Sequence, residues 1–271
     1  MAFRLTDYLD RIALLDVPEG IAGLRALQAA HMRAIPFENI DPLLGRVPRL
    51  DPAGLVEKLV AGGRGGYCFE HNALFGMALE ALGHAPRPLL CRVRNGAPEG
   101  GARTHQAFEV IAEGERWLAD TGFGGHGALH PVALDDAGAQ AAPNGVYRVV
   151  TDDAGGETVL ERLVGEAWVS LYGFDAVPAR AIDLEAANFL CARWDGAPFT
   201  ANLMLALHGP DGRRAMFNRA LTIGAPPDAE TRAIETPDVF ATVLRGAFRL
   251  DLAEPETAAI WARIEHAPTR R

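Results

Sequence analysis

Apolar positions recur at helical spacing through the first third of the chain. Leu9, Ile12 and Ala13 fall on one side of a short helix that Thr6 or Asp7 can cap. Pro18 opens a second helix whose stripe is Ile21, Leu24, Leu27 and His31, running up to Pro36. Ile35-Pro36-Phe37-Glu38-Asn39 then reads as a loop, followed by a proline-rich passage. Asp51-Pro52 signals the start of a helix carrying Leu55, Val56, Leu59 and Val60, which Gly62-Gly63 stops. After a second glycine pair, Gly65-Gly66, a new pattern starts at Cys68. Leu74, Phe75, Ala78, Leu79 and Leu82 recur there at spacings of three and four until Gly83. The spacing predicts a small helical bundle over residues 1–84.

Beyond Gly83 the period shortens. Runs rich in β-branched and apolar residues occupy 88–93, 104–111, 116–120, 146–151, 158–164 and 168–172. Glu113-Gly114 and Asp153-Ala154-Gly155-Gly156 are hairpin turns by composition. Short antiparallel strands so closely spaced predict a barrel or half-barrel over residues 85–182. In the last section, 183–271, Asp183 caps a brief helix through Leu190. A hairpin of 201–208 with 213–223 turns at Pro210-Asp211-Gly212. Two helices close the chain, one opening at Thr236-Pro237-Asp238 and the last carrying Ile260, Trp261 and Ile264. The expected class is α+β.

Composition narrows the function classes. A hydrophobic fraction of 49% and a charged fraction of 23% belong to an ordinary globular chain with ample core. The net charge of −9, with no basic run, argues against nucleic acid or an anionic membrane as partner. A phosphorylated cofactor would therefore need local positive groups or clustered backbone N–H groups. The first residues turn acidic at Asp7 before any apolar run, unlike a signal peptide, and no stretch reads as a membrane span. Cys68, Cys91 and Cys191 are odd in number, far apart and outside any CxxC motif, so the chain reads as cytoplasmic.

The glycine run delivers Cys68 to the first turn of a helix, where free N–H groups and the helix dipole favour a thiolate and could face an oxyanion. A small buried apolar role is the alternative for this residue. A nucleophilic cysteine needs a base. His71 lies at i+3 on the same helix but points away from its tip. For His105, an even-length loop at Glu113-Gly114 sets Ala107 opposite Asp120, so that His105 and Asp120 share a face within reach. An odd loop would separate them. Gly122-Phe123-Gly124-Gly125-His126-Gly127 matches a dinucleotide fingerprint, but Ala128-Leu129-His130-Pro131 cannot open the required helix. Cys68, His71, His126 and His130 could be assembled into a zinc set, yet no CxxC or HExxH accompanies them, and no metal is expected.

Together these residues resemble the arylamine N-acetyltransferases. Ile35-Pro36-Phe37-Glu38-Asn39 is similar to that family's PFEN element, and Arg64-Gly65-Gly66-Tyr67-Cys68-Phe69-Glu70 to its RGGYCFE loop. Thr104-His105 resembles the start of its histidine strand, and Trp117-Leu118-Ala119-Asp120-Thr121-Gly122-Phe123-Gly124-Gly125 its W-x-x-DVGFG segment. The resemblance implies a helical bundle, an antiparallel β-barrel and a C-terminal α/β lid. It implies a triad arranged as in cysteine proteases and transglutaminases, with Cys68 as nucleophile, His105 as base and Asp120 as its orienter. It places Phe37, Phe123 and Phe199 along the acceptor and acyl pocket, and Thr104 and Gly124 near the thiol end of the donor, acetyl-coenzyme A. The acceptor it implies is a small arylamine or hydrazine. An amide synthase moving a longer acyl chain, or a non-catalytic binding protein of the same fold, are the rival expectations. Two departures stand out: Thr121 replaces the usual valine, and Ala192, Gly196 and Ala197 replace small polar residues between Asn188 and Phe199.

Overall fold

The computed structural model describes every residue except Asp211, 225–227 and 268–271. The chain begins with α1 (Leu5–Arg11) and α2 (Gly20–Ala34). Neither Thr6 nor Asp7 caps α1, whose N-cap is Arg4, and α2 starts two residues after Pro18. The expected loop after α2 contains a two-residue strand, β1 (Phe37–Glu38), followed by α3 (Ile40–Leu43). Asp51 caps α4 (Pro52–Leu55) as expected, accepting from the Gly54 N–H at 3.0 Å. The helix then widens into a π-helical turn, Val56–Ala61, before α5 (Cys68–Ala81).

Eight strands form the barrel: β2 (Arg87–Val93), β3 (Arg103–Ala112), β4 (Glu115–Ala119), β5 (Val132–Ala133), β6 (Gln140–Ala142), β7 (Gly145–Asp152), β8 (Glu157–Val164) and β9 (Ala167–Phe174). Their order is β5-β4-β3-β2-β9-β8-β7-β6, with antiparallel pairing throughout. The Gln140 side-chain amide bonds both the N–H and the carbonyl of Ala133, so it links the two edge strands and nearly closes the cylinder. Between β3 and β4, Glu113 and Gly114 both take left-handed φ values, 55° and 81°, as a two-residue hairpin loop demands. Phe108 consequently pairs with Ala119 and Ala112 with Glu115. This is the even-loop register.

The remaining elements are α6 (Ala181–Arg193), α7 (Pro198–Ala201), β10 (Met204–Gly209), β11 (Gly212–Phe217), β12 (Ala220–Gly224), β13 (Glu230–Ala233), α8 (Pro237–Phe248) and α9 (Glu254–Ile264). Asp183 sits in the first turn of α6, accepting from the Arg180 N–H at 2.8 Å, rather than at the cap itself. The strand expected over 213–223 is split at Asn218, which takes φ 50° and accepts the Leu203 N–H at 2.9 Å. Asparagine tolerates that left-handed geometry, so a turn interrupts the run. Part of the hairpin turn expected beside it, Asp211, lies outside the described residues.

The second sheet has the order β1-β10-β11-β12-β13, so a strand from the first third of the chain forms its edge. Tyr8, Leu24, Leu27, Leu74 and Phe75 pack with Phe108, Val110 and Trp117, which fixes the helices against one wall of the barrel. Ile40 and Leu43 pack with Leu205, Phe240, Phe248 and Ile260 under the second sheet. Tyr67, Cys68 and Phe69 meet Ala187 and Cys191 of α6 in a smaller cluster between these layers.

Candidate active site

The glycine run is a built feature rather than a slack loop. The Gly66 carbonyl accepts the Glu38 N–H at 2.7 Å, and Gly66 forms a parallel bridge with Phe37. A Cβ on Gly65 would lie 1.9 Å from the Pro36 carbonyl oxygen, and one on Gly66 would lie 2.7 Å from Glu70. Glycine is required at 65 because two backbones approach closely, and at 66 because the Glu70 side chain folds over it. Arg64 locks the same junction: its Nε and Nη2 donate to Glu38 Oε1 at 3.0 and 2.7 Å, and the Glu38 side chain is fully buried. Lys58, from the π-helical turn, donates to Asp41 and Glu70 at 2.6 Å each. Burial alone would lower its pKa, but Glu38, Glu70 and Asp41 hold it above the ordinary lysine value.

Cys68 is the first residue of α5 and is only 4% exposed. Its thiol donates to the Thr104 carbonyl at 3.6 Å, and the Cys191 thiol donates to the same oxygen at 3.6 Å. Burial pushes the Cys68 thiol well up, with Cys191 adding to the rise. The Gln106 and Phe69 N–H groups pull the other way, and Asp120 adds to the upward push. A resting thiolate from the helix tip alone, as the sequence suggests, is therefore reversed by burial. Cys91 and Cys191 are buried too, and the Cys191 thiol is pushed up to about 12 by burial.

His105 Nε2 and Asp120 Oδ2 are 2.7 Å apart, on the shared face that the hairpin register provides. That contact commits Nε2, so Nδ1 is the ring nitrogen left for chemistry. Asp120 Oδ1 accepts from Asn72 Nδ2 at 3.0 Å and from the Gly122 N–H at 2.8 Å. Burial alone would raise Asp120, but His105, Asn72 and Gly122 hold it below the ordinary carboxylate value. Phe123 packs edge-on to His105 with centroids 5.3 Å apart. Phe37 and Phe199 lie 6.2 Å apart, and a Cβ on Gly124 would strike the Phe37 ring at 2.7 Å. Thr104 supplies the carbonyl that both thiols share.

Sequence reasoning passed over Asn72, Gln28 and Tyr172. Asn72 stands four residues after Cys68, hence on the same face of α5, and that spacing was the available signal. Besides Asp120 it binds the Gln106 carbonyl at 2.5 Å and accepts from Thr121 N at 3.1 Å and Oγ1 at 3.3 Å. The Thr121 hydroxyl thus gives Asn72 Oδ1 a second donor beside the backbone N–H, one that valine would lack. Gln28 accepts the Asp120 N–H at 3.1 Å, and the Tyr172 ring lies 4.7 Å from His105. Nothing local in the sequence marks either.

His71 is committed elsewhere. Its Nε2 donates to the Pro36 carbonyl at 3.1 Å, which leaves Nδ1 to accept from His31 Nε2 at 2.8 Å, and His31 Nδ1 then accepts from Tyr8 at 2.8 Å. Loop 122–127 leads to no helix, and among the described residues no group of three or more His, Cys, Asp and Glu is placed to hold a metal. In the second departure, Asn188 accepts from the Tyr67 hydroxyl and donates to the Pro48 carbonyl at 3.0 Å. Ala192 and Ala197 are buried, and a Cβ on Gly196 would strike the Trp194 ring.

A family model described as N-acetyltransferase matches residues 20–257. An arylamine N-acetyltransferase / N-hydroxyarylamine O-acetyltransferase of Salmonella typhimurium is 36% identical over 264 residues, covering 94% of this chain and 93% of that protein. The solved structure of the arylamine N-acetyltransferase from Salmonella typhimurium superimposes with a TM-score of 0.89 at 35% identity, covering 97% and 99% of the two chains. The Mycobacterium marinum arylamine N-acetyltransferase in complex with CoA gives a TM-score of 0.89 at 34% identity, covering 97% and 98%.

Proposed function

The chain belongs to the arylamine N-acetyltransferase family, and from that premise we propose that it moves the acetyl group of acetyl-coenzyme A to arylamine and hydrazine nitrogens through a thioester on Cys68. The observation that carries the reading is the 2.7 Å contact between His105 of β3 and a buried, ionised Asp120 just past β4, beside the helix tip whose Cys68 thiol reaches the Thr104 carbonyl. Asp120 fixes the tautomer and stabilises the imidazolium, so His105 Nδ1 is the base.

Because burial opposes an isolated thiolate, the anion forms only as half of a pair with the imidazolium. The Cys68 proton passes to His105 while sulfur attacks the thioester carbonyl. Backbone N–H groups at the tip of α5 face the oxyanion. The carbon–sulfur bond to coenzyme A breaks, and its thiolate takes the proton from His105. An amine then attacks acetyl-Cys68, His105 removes its proton, and the thiol is regenerated as the amide leaves. Arylamines and hydrazides enter unprotonated near neutral pH, as a nucleophile must.

Phe37, Phe123 and Phe199 line the acceptor and acyl pocket, and Thr104 and Gly124 border the donor's thiol end. In this reading the chain divides functionally into 1–84, 85–182 and 183–271, carrying the nucleophile, the base with its orienter, and the lid. Coenzyme A release measured with acetyl and longer acyl donors, against anilines and hydrazides, tests the assignment. Acetyl transfer to anilines is expected; release with long-chain donors alone, or none at all, overturns it.

A further inference from the structure

Among the described residues, no carboxylate pairs with Arg162 of β8 or Arg213 of β11. Arg162 Nη2 donates to the Asn144 carbonyl at 3.2 Å, and Arg213 Nη2 donates to the Gly124 carbonyl. Both Nε–H groups are buried without a hydrogen-bond partner among the described residues. Arg94 also has an unpartnered Nε, yet its Nη2 pairs with Asp152 and Glu157 at 2.7 Å each. Buried His208 stands directly across from Arg213 in the β10–β11 register, so two cation-forming groups share one face of the second sheet. His126, exposed at the end of the Gly124 loop, gives the cluster an opening to solvent.

The four groups repel charge from one another. Burial and Arg213 push His208 down to about 3, and partial desolvation of its otherwise exposed side chain, Arg213 and Arg162 push His126 down to about 4. Burial and Arg162 lower Arg213 itself to about 10. Such a concentration is not a by-product of composition, since the chain carries a net charge of −9. A phosphate would supply both the missing acceptor oxygens and the missing negative charge.

We propose that Arg162, Arg213, His126 and His208 form a subsite for a phosphate group of the phosphorylated acyl donor, at the solvent end of the loop that runs from Asp120 past Phe123 and Gly124. The proposal rests on the acyl-transfer reading above, and inorganic diphosphate provides a probe independent of it. Calorimetric titration of the protein with diphosphate is compared with Arg162→Gln and His208→Gln. kcat/KM is measured in parallel for acetyl-coenzyme A and for a phosphate-free thioester, S-acetyl-N-acetylcysteamine. Diphosphate is expected to bind the unaltered protein and to bind Arg162→Gln about tenfold or more weakly, as the loss of a charged hydrogen-bond donor implies. The loss in kcat/KM should be at least that much larger for acetyl-coenzyme A than for the phosphate-free donor. Arg162→Gln carries the test because Arg213 itself holds the Gly124 carbonyl. Absence of diphosphate binding, unchanged affinity in Arg162→Gln, or equal losses with both donors overturns the subsite. If diphosphate binds as expected while neither donor is turned over, it is the acyl-transfer reading that fails.

Discussion

Asp120 is buried yet stays an anion because His105, Asn72 and the Gly122 N–H all bond to its carboxylate. Asp120→Asn is expected to keep the fold and lose at least about 10²-fold in kcat/KM, because an amide favours the wrong histidine tautomer. Near-normal activity with normal melting would remove Asp120 from the mechanism. Asn72→Ala, which deletes one bond to the ionised carboxylate, should lower kcat/KM roughly 10- to 100-fold, matching about 1.5–3 kcal/mol. A smaller change would mean that Gly122 and His105 hold the carboxylate unaided. The pairing of His105 with Asp120 was legible in the sequence, because a two-residue turn sets strand register. The raised thiol pKa of Cys68 was not, because the burial arises from α6, and Cys191 comes from far along the chain.

At the scale of elements, β1, the π-helical turn and the glycine run form one junction around Glu38. Its side chain is fully buried against Arg64, so the pair is not screened as a surface pair would be. A double-mutant cycle with Glu38→Gln and Arg64→Met should give a coupling above about 1 kcal/mol in thermal or urea unfolding. A coupling indistinguishable from zero would assign Arg64 to its contact with Glu256 instead. His71→Gln breaks the chain from Tyr8 to Pro36 but leaves Asp120, His105 and Cys68 in place, so kcat should fall less than about tenfold. A collapse of kcat would restore His71 as a base. Long periodic helices such as α5 and the hairpin strands were legible from local pattern. β1 was not, because a two-residue strand is fixed by its partner β10, far along the sequence.

The whole molecule buries several imidazoles as neutral groups. Burial lowers His71 from 6.5 to about 4, and lowers His31 well below its ordinary value. The unfolded chain therefore binds more protons below pH 6.5, so these residues contribute stability that is complete above that value and is lost as pH falls toward 4. His71 alone accounts for roughly 3 kcal/mol across that window. Urea midpoints should drop steadily between about pH 7 and 5, and a flat or rising profile contradicts the assignment. The α+β class with its barrel was readable from the strand spacing, whereas the second sheet was readable only as one hairpin, because it draws its edge strand β1 from the first third of the chain. The central claim, a covalent acetyl-enzyme, is tested most directly by intact-protein and peptide mass spectrometry after mixing with acetyl-coenzyme A in the absence of any amine. One acetyl group on Cys68, discharged when an arylamine is added and absent in Cys68→Ala, is the predicted result. An unmodified protein that still acetylates amines, or an acetyl group on Cys191 in place of Cys68, would contradict it.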